Sequence, residues 1–126
     1  MASRPKQVLL IDDNELTLRM VAKVLSHAGY QVRTASNVEE LTSALGEWRP
    51  DVILTDVNMP GTSGVELCRR LKATYETAHV PVVLLSALPE AELELLARTC
   101  EADGYLTKSN LAQLPTELQM LVESLF

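Results

Sequence analysis

Two cysteines and two histidines are all that 126 residues offer to a thiolate or imidazole metal site, and neither pair has the spacing for one. Cys68 and Cys100 form no Cys-x-x-Cys pattern and fall in helix-like stretches. Reduced, buried thiols serving as small hydrophobes are the expectation, and they suit a cytosolic chain. His27 stands just before Ala28 and Gly29, where a helix is expected to end, and His79 falls in an expected loop. No run approaches the roughly 18 apolar residues of a membrane span. Met1 to Lys6 also lack the apolar stretch of a signal peptide. A cytoplasmic protein without membrane insertion follows. Clustered positive charge is missing as well. The net charge is −6, and only Arg69, Arg70 and Lys72 group together, as a solvated helix face would. Direct nucleic-acid binding needs clustered cations and is not expected. There is no repeat, low-complexity tract or linker, so residues 1–126 read as a single domain with its core at about 7–125.

What the sequence does contain is ordinary globular material, 47% hydrophobic and 22% charged, arranged in alternation. Val8 to Ile11, Val52 to Leu54 and Val82 to Leu85 are short, continuous apolar runs, the pattern of strands covered on both faces. Tyr30 to Ala35 carries Gln31 and Arg33, which suggests an edge strand, and Gly104 to Thr107 supplies a fifth. Between them lie amphipathic stretches with helix-start signals. Asn37 with Glu40, and Ser63 with Glu66, have capping-box spacing, and Pro89 before Glu90 and Glu92 suits a first helical turn. Val38, Leu41, Leu45 and Trp48 form one apolar stripe, which makes Trp48 a packing residue; Leu118, Leu121, Val122 and Leu125 form another. The order βαβαβαβαβα predicts a doubly wound α/β domain with five parallel strands and helices on both faces. Ligands of such sheets bind beyond the carboxyl ends of the strands.

Those ends collect a short list of residues. The first strand ends in Asp12 and Asp13, the third in Asp56, the fourth in Ser86, and the fifth leads to Lys108. If the first and third strands are neighbours, three carboxylates converge, and their mutual repulsion would raise at least one pKa. A divalent cation resolves that conflict, and hard oxygen donors without Cys or His favour Mg²⁺. A carboxylate so placed can serve as a nucleophile and become an aspartyl phosphate. The Lys108 ammonium and the Ser86 hydroxyl would then neutralise phosphoryl oxygens.

At this point the chain resembles the receiver domains of two-component response regulators, over roughly Gln7 to Leu125. The resemblance rests on LLIDDN at 9–14, the run from Asp56 to Gly61 with Gly64 after it, VVLLSA at 82–87, and Tyr105 three residues before Lys108. It implies a flavodoxin-like sheet of order 2-1-3-4-5 and a phosphorylation-activated switch rather than a turnover enzyme. Asp56 would be the phosphoacceptor. Mg²⁺ would be bound by Asp13, Asp56 and the backbone carbonyl of Asn58, with Asp12 acting through water. Lys108 would pair with the phosphoryl group, and Ser86 with Tyr105 would form the switch couple that alters the helix 4–strand 5–helix 5 face. The implied partners are a histidine kinase or phosphotransfer protein and an output protein or domain of unknown identity. Leu88 and Asn58 would flank the phosphoryl group, and Leu88 cannot orient a hydrolytic water, so slow phosphate loss is expected.

Two features depart from the family pattern. Ser109 stands where proline usually follows the lysine; a cis bond there would cost about 2.5–4 kcal/mol, so a trans bond and a reshaped loop are expected. Pro115 suggests that the last helix begins near that residue. Three other readings compete. A degenerate receiver would bind partners without phosphate, but the acids, the hydroxyl and the lysine are all present. An FMN carrier would need a phosphate loop after the first strand, where Asp12, Asp13, Asn14 and Glu15 would repel the phosphate. A phosphatase with an aspartate nucleophile would need a substrate cap, and none is evident.

Overall fold

The computed structural model describes residues 6–59 and 61–125. Five strands alternate with five helices: β1 (Gln7–Ile11), α1 (Glu15–His27), β2 (Gln31–Ala35), α2 (Val38–Glu47), β3 (Val52–Asp56), α3 (Gly64–Ala73), β4 (Val82–Ser86), α4 (Glu90–Thr99), β5 (Gly104–Thr107) and α5 (Leu114–Leu125). All pairings are parallel, in the order β2-β1-β3-β4-β5. The continuous apolar runs became the inner strands. Every residue of β3 and β4 is buried, whereas β2, with its exposed Gln31 and Thr34, lies at an edge.

Strand alternation divides the core in two. Leu9, Ile11, Ile53 and Leu84 point to the side covered by α2, α3 and α4, where they meet Leu41, Leu67 and Leu93. Val8, Leu10, Leu54 and Leu85 point to the side covered by α1 and α5, against Leu25, Leu118 and Val122. Each fully buried leucine or isoleucine contributes about 1.5–3 kcal/mol relative to exposure. Two-sided burial is what removes the period-two signal from these strands and holds their carboxyl ends in fixed register.

The local details bear out some of these expectations and alter others. Trp48 packs on the core from just beyond α2, as its extended C-cap, and Leu41 and Ala44 are the helix residues that bury fully. Asn37 accepts from the Glu40 N–H at 2.8 Å, but Glu40 reaches back to Ser36 rather than to Asn37. Pro89 is the N-cap of α4, one residue outside its first turn. Gly29 follows the C-cap of α1 with φ 101°, a left-handed conformation that glycine adopts without Cβ strain. Ahead of α5 a short 3-10 turn spans Leu111–Gln113, and the helix starts at Leu114, whose side chain is buried. Leu125, expected in the apolar stripe of α5, is exposed.

Lys72 is the clearest correction. Its ammonium leaves the expected solvated face and donates to Asp103 Oδ2 at 2.8 Å and the Val80 carbonyl at 3.2 Å. Asp103 Oδ2 also accepts the Val82 N–H at 2.8 Å, so one carboxylate ties α3 to the entrances of β4 and β5. The aliphatic stem of lysine can lie along a helix and still deliver its charge to such a site.

Candidate phosphorylation site

The parallel register brings the sequence-predicted residues together at the carboxyl ends of β1, β3, β4 and β5. Asp12 and Asp13 follow Ile11 directly, and Asp56 closes β3 beside them. Carboxylate oxygens of Asp12, Asp13 and Asp56 all lie within 4.8 Å of one another. Their surroundings differ. Asp12 is 2% exposed, and both its oxygens are engaged: Oδ1 accepts the Asn14 N–H at 3.0 Å and Oδ2 accepts Lys108 Nζ at 2.7 Å. Asn14 in turn caps α1, accepting the Thr17 N–H at 3.0 Å. An asparagine just before the first helical residue is a readable N-cap signal. Asp13 is exposed. Asp56 is 9% exposed, and its Oδ1 accepts Lys108 Nζ at 2.9 Å.

Lys108 therefore sits between Asp12 and Asp56, so part of the expected crowding is relieved by a side-chain cation. Burial alone would lower its pKa, but the bonds and charges of Asp12 and Asp56 raise it above the ordinary lysine value. Asp56 is held above the ordinary carboxylate value. Desolvation is the main cause, partly offset by Lys108, with the charge of Asp12 a smaller contribution. Burial, more than like-charge crowding, perturbs this carboxylate.

The backbone beneath Asp56 is confined. Thr55 Oγ1 donates to the Asp56 carbonyl at 3.0 Å. Gly64, at the start of α3, donates to the Val57 carbonyl at 2.7 Å. A Cβ at Gly64 would run into the Asp56 carbonyl, 2.8 Å from its carbon and 2.9 Å from Val57 Cα. Only glycine lets the helix start this close to the strand end.

On the other flank, Ser86 is buried, and its Oγ accepts the Leu88 N–H at 3.1 Å. Its carbonyl accepts the Lys108 N–H at 2.9 Å, which fixes where the lysine leaves β5. No cis peptide occurs among the described residues, so Lys108–Ser109 is trans, and Thr107 and Ser109 pair through their hydroxyls at 2.8 Å. The Tyr105 ring packs against the α2–α4 side of the core while its hydroxyl donates to Glu90 Oε1 at 3.3 Å. Desolvation, then the charges of Glu90 and Glu94, raise its pKa. Leu88 is half-buried against the same core. Asn58 is exposed, and Pro60 lies outside the described residues.

The arrangement thus offers three clustered carboxylates able to hold a cation, a near-buried carboxylate in reach of a lysine, and a hydroxyl at the next strand end. Known proteins resemble this chain over most of its length. The family model described as response regulator receiver domain matches residues 8–119. The phosphate regulon transcriptional regulatory protein PhoB of Pseudomonas aeruginosa is 37% identical over 103 residues, covering 82% of this chain and 45% of that protein. This chain thus spans less than half the length of PhoB. The polar-differentiation response regulator DivK of Brucella anthropi is 34% identical over 105 residues, covering 82% of this chain and 85% of DivK. The chemotaxis response regulator CheY4 of Vibrio cholerae superposes with a TM-score of 0.82 at 30% identity, covering 93% of this chain and 98% of that one. With its sheet order, its strand-end residues and these relatives in agreement, the chain belongs to the response regulator receiver domain family.

Proposed function

We propose that this chain is a phosphorylation-activated switch that takes a phosphoryl group on Asp56 from a histidine kinase or phosphotransfer protein. The observation that carries this reading is the setting of Asp56: nearly buried, bonded to Lys108 at 2.9 Å, with Asp12 and Asp13 oxygens within 4.8 Å. Carboxylate oxygens without sulfur or imidazole suit Mg²⁺, held by Asp13, Asp56 and the Asn58 carbonyl, with Asp12 acting through water. Asp12, already bonded by Asn14 and Lys108, fits the indirect role, and exposed Asp13 fits the direct one. When bound, the cation would neutralise charge on the phosphoryl oxygens.

An Asp56 carboxylate oxygen forms the new P–O bond as the P–N bond of a phosphohistidine breaks, and the imidazole leaves with its electron pair. Burial excludes competing water, and Lys108 favours the ionised form of Asp56, partly offsetting the desolvation that opposes it. Once the group arrives, the ammonium can transfer its bonds from the two aspartates to phosphoryl oxygens. Ser86 Oγ only accepts in its bond with Leu88, so its own proton is available to a phosphoryl oxygen. Movement of that hydroxyl would release the Leu88 N–H just ahead of α4, and Tyr105, tied to Glu90 at the start of α4, would re-pack. Shifting a population from 1:99 to 99:1 takes about 5.5 kcal/mol, within reach of a dianion held by a lysine, a hydroxyl and a metal. The chain acts only on itself, so it is a switch and not a turnover enzyme.

The test is intact mass spectrometry after incubation with an acyl phosphate and Mg²⁺. One phosphate should add to the wild type and none to Asp56→Asn; equal labelling of the two would refute the assignment.

A further inference from the structure

Cys68 and Cys100 take no part in the site at the strand ends, yet they meet. Both are fully buried free thiols, one on α3 and the other at the C-cap of α4. Cys68 Sγ lies 3.4 Å from the Cys100 carbonyl oxygen, and Cys100 Sγ lies 3.8 Å from the Ala97 carbonyl. Burial, and then the neighbouring Cys100 thiol, push Cys68 far above its ordinary value. With α4 closed, neither thiol meets solvent, and a buried thiol of this kind is inert.

The start of α4 is held less firmly than the starts of the helices before it. Asn14, Asn37 and Ser63 cap α1, α2 and α3 through side-chain oxygens, whereas Pro89 gives α4 no such bond. After Cys100 the chain turns through Glu101 at φ 61°, a left-handed position where α1 uses Gly29. A side chain at that conformation carries a steric penalty that glycine avoids. Local opening favours strained segments, and this turn, closed by the Glu101 and Ala102 N–H bonds to the Arg98 and Ala97 carbonyls, holds Cys100 against Cys68.

We infer that Cys68 and Cys100 form a latent disulfide site, which becomes oxidisable by a hydroperoxide when the C-terminal turn of α4 opens. One thiolate attacks the peroxide oxygen, breaking the O–O bond, and becomes a sulfenic acid as an alcohol or water leaves. The second thiol attacks the sulfenic sulfur and expels its oxygen as water. The two cysteines lose two electrons and two protons, and the peroxide gains both. The product staples α4 to α3 across the core.

Hydrogen peroxide acting on the full chain tests this, read by intact mass and by thiol titration under denaturing, non-reducing conditions. The wild type should lose the mass of two hydrogen atoms and both thiols together, without dimers, and a dithiol reductant should restore them. Amide exchange across Glu90–Thr99 should slow in the oxidised form. Glu101→Gly, which removes the strain at the α4 terminus, should form the bond several-fold more slowly. The inference is overturned if both thiols survive peroxide that oxidises a cysteine peptide, if oxygen adds to single cysteines, or if Glu101→Gly reacts as fast as the wild type. Cys68→Ser should show no two-hydrogen loss; should that variant not fold, the wild-type and Glu101→Gly measurements still decide.

Discussion

Lysine meets aspartate at both ends of the sheet, on opposite terms. At the amino ends of β4 and β5, Lys72 faces one carboxylate, Asp103, and the group is closed: Asp103 Oδ2 accepts both the ammonium and the Val82 N–H. At the carboxyl ends, Lys108 faces Asp12 and Asp56 while Asp13 stands beside them, one cation against three carboxylates. The first arrangement balances its charge and joins three elements. The second keeps an excess of negative charge in a half-buried crevice, which lowers stability and suits a cation. Charge balance separates the scaffold from the site.

Substitutions at the two ends should therefore have opposite consequences. Asp13→Ala should cost more than about 100-fold in Mg²⁺ affinity by calorimetry, beyond what loss of an outer-shell partner causes. Its metal-free stability should hold or rise, because one like charge leaves the cluster. Asp103→Ala should do the reverse. Leaving the Val82 N–H unpaired and Lys72 with only the Val80 carbonyl should cost about 2–3 kcal/mol in urea unfolding while phosphorylation remains intact. A fall in stability for Asp13→Ala, or loss of labelling in Asp103→Ala, would break the comparison.

Smaller effects sharpen it. Leu88, half-buried beside the site, offers nothing to orient water, so phosphate loss should be slow. Leu88→Glu should speed dephosphorylation a few-fold under saturating Mg²⁺, measured by decay of the labelled species, since a carboxylate can position the attacking water. An unchanged rate would remove Leu88 from control of the lifetime. The smallest effect is electrostatic and lies at the start of α2. Glu40 accepts from the Ser36 N–H and hydroxyl, which hold its pKa below 4.5. A lowered folded-state pKa gives stabilisation that is complete above 4.5 and is lost as pH falls through the lower folded value. Glu40→Gln should flatten the pH dependence of stability in that acidic window, and an NMR titration of Glu40 should place its midpoint below 4.5.

The carboxyl end of the sheet was the more legible of the two because its side chains belong to strand termini. Short apolar runs mark the strands, a parallel sheet aligns their ends, and Asp12, Asp56, Ser86 and Lys108 follow by position alone. The amino end was opaque. Lys72 and Asp103 are 31 residues apart on elements with no shared motif, and a basic residue near a helix end reads as solvated. Cap details also escaped. Glu40 could reach Ser36 as easily as Asn37, and the left-handed turn at Glu101 carries no glycine to announce it. The resting position of Lys108 between two acids depended on side-chain reach, which spacing does not encode.

The most direct test of the account is the chemical address of the phosphoryl group. Borohydride reduction of the freshly phosphorylated chain converts an acyl phosphate to the corresponding alcohol, so that a modified aspartate becomes homoserine. Peptide sequencing by mass spectrometry should find homoserine at position 56 alone, with Asp12 and Asp13 unaltered. Homoserine at either of those two positions, or none anywhere, would contradict the assignment of Asp56 as the residue that receives the signal.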